Sequence, residues 1–451
     1  MKRPAFISGV GLATLLVLVA NVIQHQLRTP YTPWRCTLPL VHCPSPLIQG
    51  YVHPDYQRVR DIFEANLASG DDNGAGVAVF VQNELVVDLQ GGWQKLNPRI
   101  PFTEDTLQLV YSSTKMLANI ITAQFVQKGL LDYDAPIAWY WPEFAQGHKE
   151  NVTLSDLVQH SAGVGYLDTP LKEADFRDPD SFSQLLARQP HNFGGAKTRS
   201  YHAMTGGWYL NEILRRVDPQ GRTIGQIAEA ELLQNYGVEW HLSANDDLEP
   251  RLAQIYRPPV VVQLKPLLVS IFSGQESYMV DLLRKKSVAY RTLVDSTPNQ
   301  VPVFDLVKSD VRKLEGPSYN GYTNAFSIAK LAAMMANRGR AVVQGEPDLL
   351  DEKTYAIASA PMPLAYDILI RRPMATLKGG FGFNYEYAVD GVIFTGWTGA
   401  GGSVFYWNEE YRIGFGYLTN ALKGSAPDAR SLSLLHEIVY QAKKQKSPVL
   451  P

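Results

Sequence analysis

Apolar residues fall at Val59, Ile62, Phe63 and Leu67 in HPDYQRVRDIFEANLASG, the one-face spacing of a helix lying on a core. The next stretch, GAGVAVFVQNELVVDLQGG, reads as two β-branched strands around a Gln82-Asn83-Glu84 turn, a hairpin. Near the other end, GVIFTGW, GSVFYWN and YRIGFGYLTN give three more strands before the helical pattern DARSLSLLHEIVYQAKK. Strands at both ends bracket a helix-rich middle. The pattern therefore predicts an α+β (α/β sandwich) fold: an antiparallel sheet built from the N- and C-terminal strands, flanked by helices, plus a helical lobe. Chemistry is expected where the lobes meet.

One helical pattern lacks a polar face. In LVYSSTKMLANII, residues 109–121, Lys115 is followed by no charged residue until Lys128, while Met116, Leu117, Ile120, Ile121, Phe125 and Val126 cover several faces. With a helix starting near Ser112, Lys115 lies one turn on and faces the same way. Burial disfavours the ammonium form, and a neutral lysine beside a hydroxyl activates a serine nucleophile. The Ser112 backbone N–H, at the helix's positive end, suits an oxyanion. The bland alternative is a capping serine with a snorkelling lysine. A second SxxK, Ser327 to Lys330, falls after the better caps Thr323 and Asn324; it reads as structural, with Lys330 on a solvated face.

Composition narrows the classes. A chain of 451 residues, 45% hydrophobic and 19% charged, builds a large core, and a net charge of −2 offers no basic face for nucleic acid. Nine scattered histidines without HExxH argue against a metal hydrolase, and no cofactor-binding glycine motif occurs. Lys2 and Arg3 precede an uncharged stretch, residues 5–23. As a helix this covers roughly 28 Å, near the ~30 Å of a bilayer core. Leu18 and Ala20 make a poor cleavage pair, so residues 1–30 read as an uncleaved signal anchor rather than a buried core helix. The expectation is a single-pass membrane protein with its catalytic domain extracellular or lumenal, the alternative being secretion after cleavage. Residues 31–50 form a Pro-rich connector in which Cys36 and Cys43 either close a disulfide or stay as thiols. The sequon at Asn151 is compatible with N-glycosylation.

The text around Ser112, LVYSSTKMLANIITAQFVQKGLLDYDAPIAWYWPEF with VTLSDLVQHSAGVGYLD, resembles the serine β-lactamase-like superfamily, within it family VIII carboxylesterases and eukaryotic β-lactamase-domain proteins. Three further blocks match in order: SYHAMTGGWYLNEILRRVD, GYTNAFSIAKLAAMMANRG and FTGWTGAGGSVFYWNEEYRIGFGYLTN. The resemblance covers about residues 51–442, hence a hydrolase domain over 51–451. It implies a catalytic set of Ser112, Lys115 and Tyr201, with Lys115 and Tyr201 both open as the base. It also implies an oxyanion and substrate-binding strand at Trp397, Thr398, Gly399 and Ala400, where the Ala400 N–H joins that of Ser112. His202, beside Tyr201, takes a packing role.

Two departures bear on substrate. Trp397 stands where lactamases carry a lysine or histidine, and Ala203 where they carry an asparagine. Both favour a small neutral ester over a lactam. The segment 258–283 is either an apolar cap over an acyl pocket or an ordinary core helix. The rivals to a membrane-anchored esterase are an inactive binding or scaffold protein, and a β-lactamase, D-peptidase or acyltransferase using the same site.

Overall fold

In the computed structural model, which describes residues 47–257, 278–423 and 427–446 with the isolated Val19, the two ends of the chain share one antiparallel sheet. From the N-terminal side come β1 (Ile48–Val52), β2 (Gly74–Val81), β3 (Glu84–Leu96) and β4 (Arg99–Pro101). From the C-terminal side come β5 (Phe383–Val389), β6 (Val392–Thr398), β7 (Val404–Asn408) and β8 (Ile413–Thr419). The order is β1-β3-β2-β8-β7-β6-β5, with β4 on β3. The two ends join where β2 pairs β8, Val77 facing Tyr417. The β2–β3 hairpin turns at Gln82 and Asn83, whose positive φ values of 52° and 73° match the right-handed twist of the strands it joins.

Alternation along β2 feeds two cores. Val77, Val79 and Val81 face α1 (Gln57–Ala68) and α5 (Ala429–Lys446), while Ala78 and Phe80 face the core that includes α4 (Ala325–Ala336) and the helical lobe. Gly414 and Gly416 let α4 lie directly on the sheet: a Cβ there would fall 2.3 Å from Ala333 N and 2.5 Å from Ala325 O. The lobe between the chain ends carries α2 (Thr114–Gln127) and α3 (Gly206–Val217). The sheet, its flanking helices and the lobe agree with the sequence pattern.

A buried ion cluster ties the chain ends together. Arg430, 1% exposed, donates to Asp72 Oδ1 (2.9 Å), Asp428 Oδ2 (2.5 Å) and the Ala421 carbonyl (2.7 Å). Asp72 also accepts from Tyr417 (2.8 Å) and Thr419 (2.7 Å). Removing one partner strands the others' charge. Arg430→Met is therefore expected to cost about 3–5 kcal/mol in urea unfolding; a loss below about 1 kcal/mol would show that the cluster contributes little.

The expected membrane anchor is corrected. Among the described residues no helix is long and apolar enough to cross a membrane. The 5–23 stretch lies outside the described residues except Val19, as do Cys36 and Cys43 and residues 258–277 of the apolar segment. An apolar run is a property of the chain, whereas a span needs a helix; none is found among the described residues, so the single-pass placement with an exported domain is withdrawn. Asn151 is exposed, and the hydroxyl of Thr153 is engaged in capping the Leu154–Val158 helix, 3.1 Å from Asp156 N.

Candidate active site

Ser112 sits at the junction between sheet and lobe. The pair Gln108–Leu109 bridges to Tyr322–Thr323, and Val110 N–H donates to Gly321 O at 2.9 Å. The chain then turns sharply: Tyr111 takes φ +48°, a left-handed conformation rare for an aromatic residue, and Tyr111–Ser113 forms a 3-10 turn leading into α2. α2 is buried nearly all round, as its unbroken apolar pattern predicts. Ser113 is fully buried and its hydroxyl lies 3.1 Å from that of Ser403, whereas Ser112 is only partly covered.

Lys115 and Tyr201 converge on Ser112. The Tyr201 hydroxyl donates to Ser112 Oγ at 2.7 Å across 89 residues of chain. Lys115 Nζ lies 3.5 Å from the same oxygen and 4.7 Å above the Tyr201 ring centre. Nζ also donates to the carbonyls of Ala203 (2.9 Å) and Ser318 (2.8 Å). Burial, with no carboxylate partner, pushes Lys115 well below the ordinary lysine range. A neutral amine has two N–H groups, which those carbonyls occupy, leaving its lone pair for the Ser112 side. Burial pushes Tyr201 the opposite way, above the usual phenol range, so it remains a neutral donor.

Trp397 packs beside Tyr201, ring centres 5.5 Å apart and tilted by 31°. It places a neutral indole at the position where the lactamase pattern has a lysine or histidine. Gly399 brings the end of β6 against the Ser112 turn: a Cβ there would meet Val110 O at 2.1 Å. Ser403 fastens the contact, accepting Gly399 N–H on its carbonyl (2.9 Å) and donating its hydroxyl to Val110 O (2.7 Å). This leaves Ala400 exposed at the tip of the same turn, next to Thr398 at the strand's end.

Other sequence candidates separate cleanly. His202 is fully buried, its Nδ1 2.6 Å from Ser200 O and its Nε2 accepting from Val164 N–H at 3.3 Å, so it packs rather than reacts. Burial lowers it to about 4. In the second SxxK, Asn324 caps α4 by accepting Ser327 N–H at 2.8 Å, and Ser327 Oγ accepts from Glu239 N–H, a structural role. Lys330 departs from expectation: it is 4% exposed and ion-paired with Glu346, because α4 is sandwiched between sheet and lobe and has no solvated face there. Among the described residues no group of three or more His, Cys, Asp or Glu side chains could hold a metal.

Three contributors were not singled out from sequence. The Ser318 carbonyl is backbone, which leaves no residue-type signal. Asp367, fully buried, accepts the backbone N–H groups of Leu369 and Ile370 (2.9 Å each) on one oxygen and sets its carboxylate near the Tyr201 backbone from 166 residues downstream. His160 sets its ring edge-on to Tyr201 at 4.8 Å; a histidine just after a helical run carries no mark of that contact.

A sheet of both chain ends, a helical lobe and a serine–lysine–tyrosine cluster at their junction define a protein of the serine β-lactamase and transpeptidase fold. The Beta-lactamase family model matches residues 59–439, and the chain belongs to that family. Its relatives include the esterase/beta-lactamase LipL of Mycobacterium tuberculosis, 24% identical over 83% of both chains. The mitochondrial serine beta-lactamase-like protein LACTB of Homo sapiens is 25% identical over 33% of this chain and 27% of that one. Among solved structures, a family VIII carboxylesterase superposes with a TM-score of 0.75 at 27% identity, covering 88% of this chain and 100% of that chain.

Proposed function

We propose that this chain hydrolyses small neutral esters through an acyl-enzyme on Ser112. The observation that carries the reading is the Ser112 hydroxyl held between a buried lysine amine and a partly buried phenol. Lys115 takes the Ser112 proton as Oγ attacks the ester carbonyl. The carbonyl oxygen, now anionic, is received by the N–H groups of Ser112 and Ala400. Tyr201 gives its proton to the departing alkoxide and is reprotonated from Lys115. A water then attacks the acyl group by the reverse path, releasing the acid and freeing Ser112. The esterase names of LipL and of the family VIII structure support this reading.

Substrate class follows from Trp397 and Ala203. A penicillin-type substrate carries a carboxylate near the scissile amide, and desolvating it without a counter-charge costs several kcal/mol. An ester of a simple alcohol has no such group. The wild-type protein is expected to cleave a short-chain p-nitrophenyl ester and to turn over nitrocefin at least about 100-fold less efficiently. Trp397→Lys is expected to lose ester kcat/KM, since Tyr201 loses the aromatic ring packed against it and the site its apolar wall, and to bind nitrocefin more tightly. Equal wild-type efficiency on both substrates would refute the ester preference, and LipL's double name makes that the second reading.

A further inference from the structure

Behind Lys115 lies a small cavity of ≈ 20 Å³ lined by Lys115, Asn119, His160, Gly207 and Ser318 among others; Ser112, Tyr201 and Trp397 do not line it. One water needs about 10–15 Å³ and two or more polar partners. Two are present. His160 is 6% exposed, and its Nδ1 is buried with no hydrogen-bond partner. Ser318 Oγ accepts Gly207 N–H at 2.6 Å, while its own O–H has no acceptor among the described residues.

The His160 ring is held in place. Its backbone takes φ +65°, its N–H donates to Leu157 O (3.1 Å) and its carbonyl accepts Ser200 N–H (2.9 Å). Burial, then the neighbouring His202, Lys115 and Arg199, keep it neutral. A neutral imidazole has one acceptor nitrogen, and an acceptor buried without a donor is costly.

We propose that this cavity binds one structural water, which accepts from the Ser318 hydroxyl and donates to His160 Nδ1, and that His160 is thereby a positioning residue for Lys115. The coupling is direct: the same Ser318 supplies one of the two carbonyls that hold Lys115 Nζ. The functional half rests on Lys115 acting as the base. The groups facing Lys115 and His160 that carry or exchange protons are Tyr201, His202 and Arg199, with Asp367 beyond Arg199 and Tyr201.

A high-resolution crystal structure of the full chain is expected to show a water within hydrogen-bond distance of both His160 Nδ1 and Ser318 Oγ. Nitrogen NMR is expected to find His160 as the Nε2–H tautomer. His160→Phe keeps the aromatic edge against Tyr201 but removes the acceptor. It is expected to lower kcat for a p-nitrophenyl ester by about 10–100-fold with KM changed less than about threefold, and to move the acidic limb of the pH profile to lower pH, since a looser carbonyl stabilises the ammonium less. His160→Gln, which restores an acceptor, is expected to recover part of the loss. A dry cavity, an Nδ1–H tautomer, or His160→Phe with unchanged kcat and pH profile would each overturn the proposal. The crystallographic and NMR readouts need no activity, so an inactive wild-type protein would sink the Ser112 reading and leave the water test standing.

Discussion

Ser112→Ala is expected to lower ester kcat/KM by about 10⁴-fold or more, the scale of losing a nucleophile whose partners act only through it. Brief mixing of wild-type protein with p-nitrophenyl acetate, followed by peptide mass spectrometry, is expected to place one acetyl group on Ser112. The neighbouring hydroxyls are poorly placed to compete. Ser113 is fully buried and shared with Ser403, and Ser327 accepts from Glu239 within α4. An acetyl group on either, or a Ser112→Ala protein retaining a tenth of the activity, would remove Ser112 from the mechanism. A folded protein that takes up no acyl group and no fluorophosphonate would instead favour a binding or scaffold role.

Lys115 gives the second large effect, and charge separates its two conceivable roles. Lys115→Arg retains a cation near Ser112, but a guanidinium does not deprotonate in a protein and cannot accept the serine proton. Both Lys115→Arg and Lys115→Met are expected to lose about 10³-fold or more in kcat/KM. The pH dependence follows from the direction of each shift. Lys115 is pushed below the ordinary lysine range, so its active amine form accumulates as pH rises through that lowered value, and kcat/KM climbs there. Tyr201 is pushed above the ordinary phenol range, so its proton-donating form persists past pH 10 and the falling limb lies on the alkaline side. A Lys115→Arg variant within tenfold of wild type would make Tyr201 the base, the option that sequence alone leaves open.

Local pattern determined a large part of this protein. Runs of β-branched and aromatic residues bounded by turn residues mark β2, β3 and the three C-terminal strands, because strand preference of this kind is carried by local residue type. The uncharged run after Lys115 likewise marks α2 as buried, and burial is what lowers the lysine. Ser112 and Lys115 are one turn apart, so their meeting is local. Tyr201, Trp397 and Ala400 were legible only through motif order, since no local rule joins positions so far apart.

What tertiary structure alone decided is how distant groups share charge and hydrogen bonds. The Ser318 and Ala203 carbonyls that occupy Lys115 Nζ are backbone atoms without a sequence signature. The Asp367 carboxylate comes near the Tyr201 backbone from far along the chain, and His160 meets the tyrosine ring through a fold-dependent crossing. Lys330 shows the converse: its helix pattern left room for a solvated face, but the sheet on one side and the lobe on the other bury it against Glu346. A side chain's own type sets what it can do, while which surfaces close over it is fixed only when the two chain ends meet across β2 and β8.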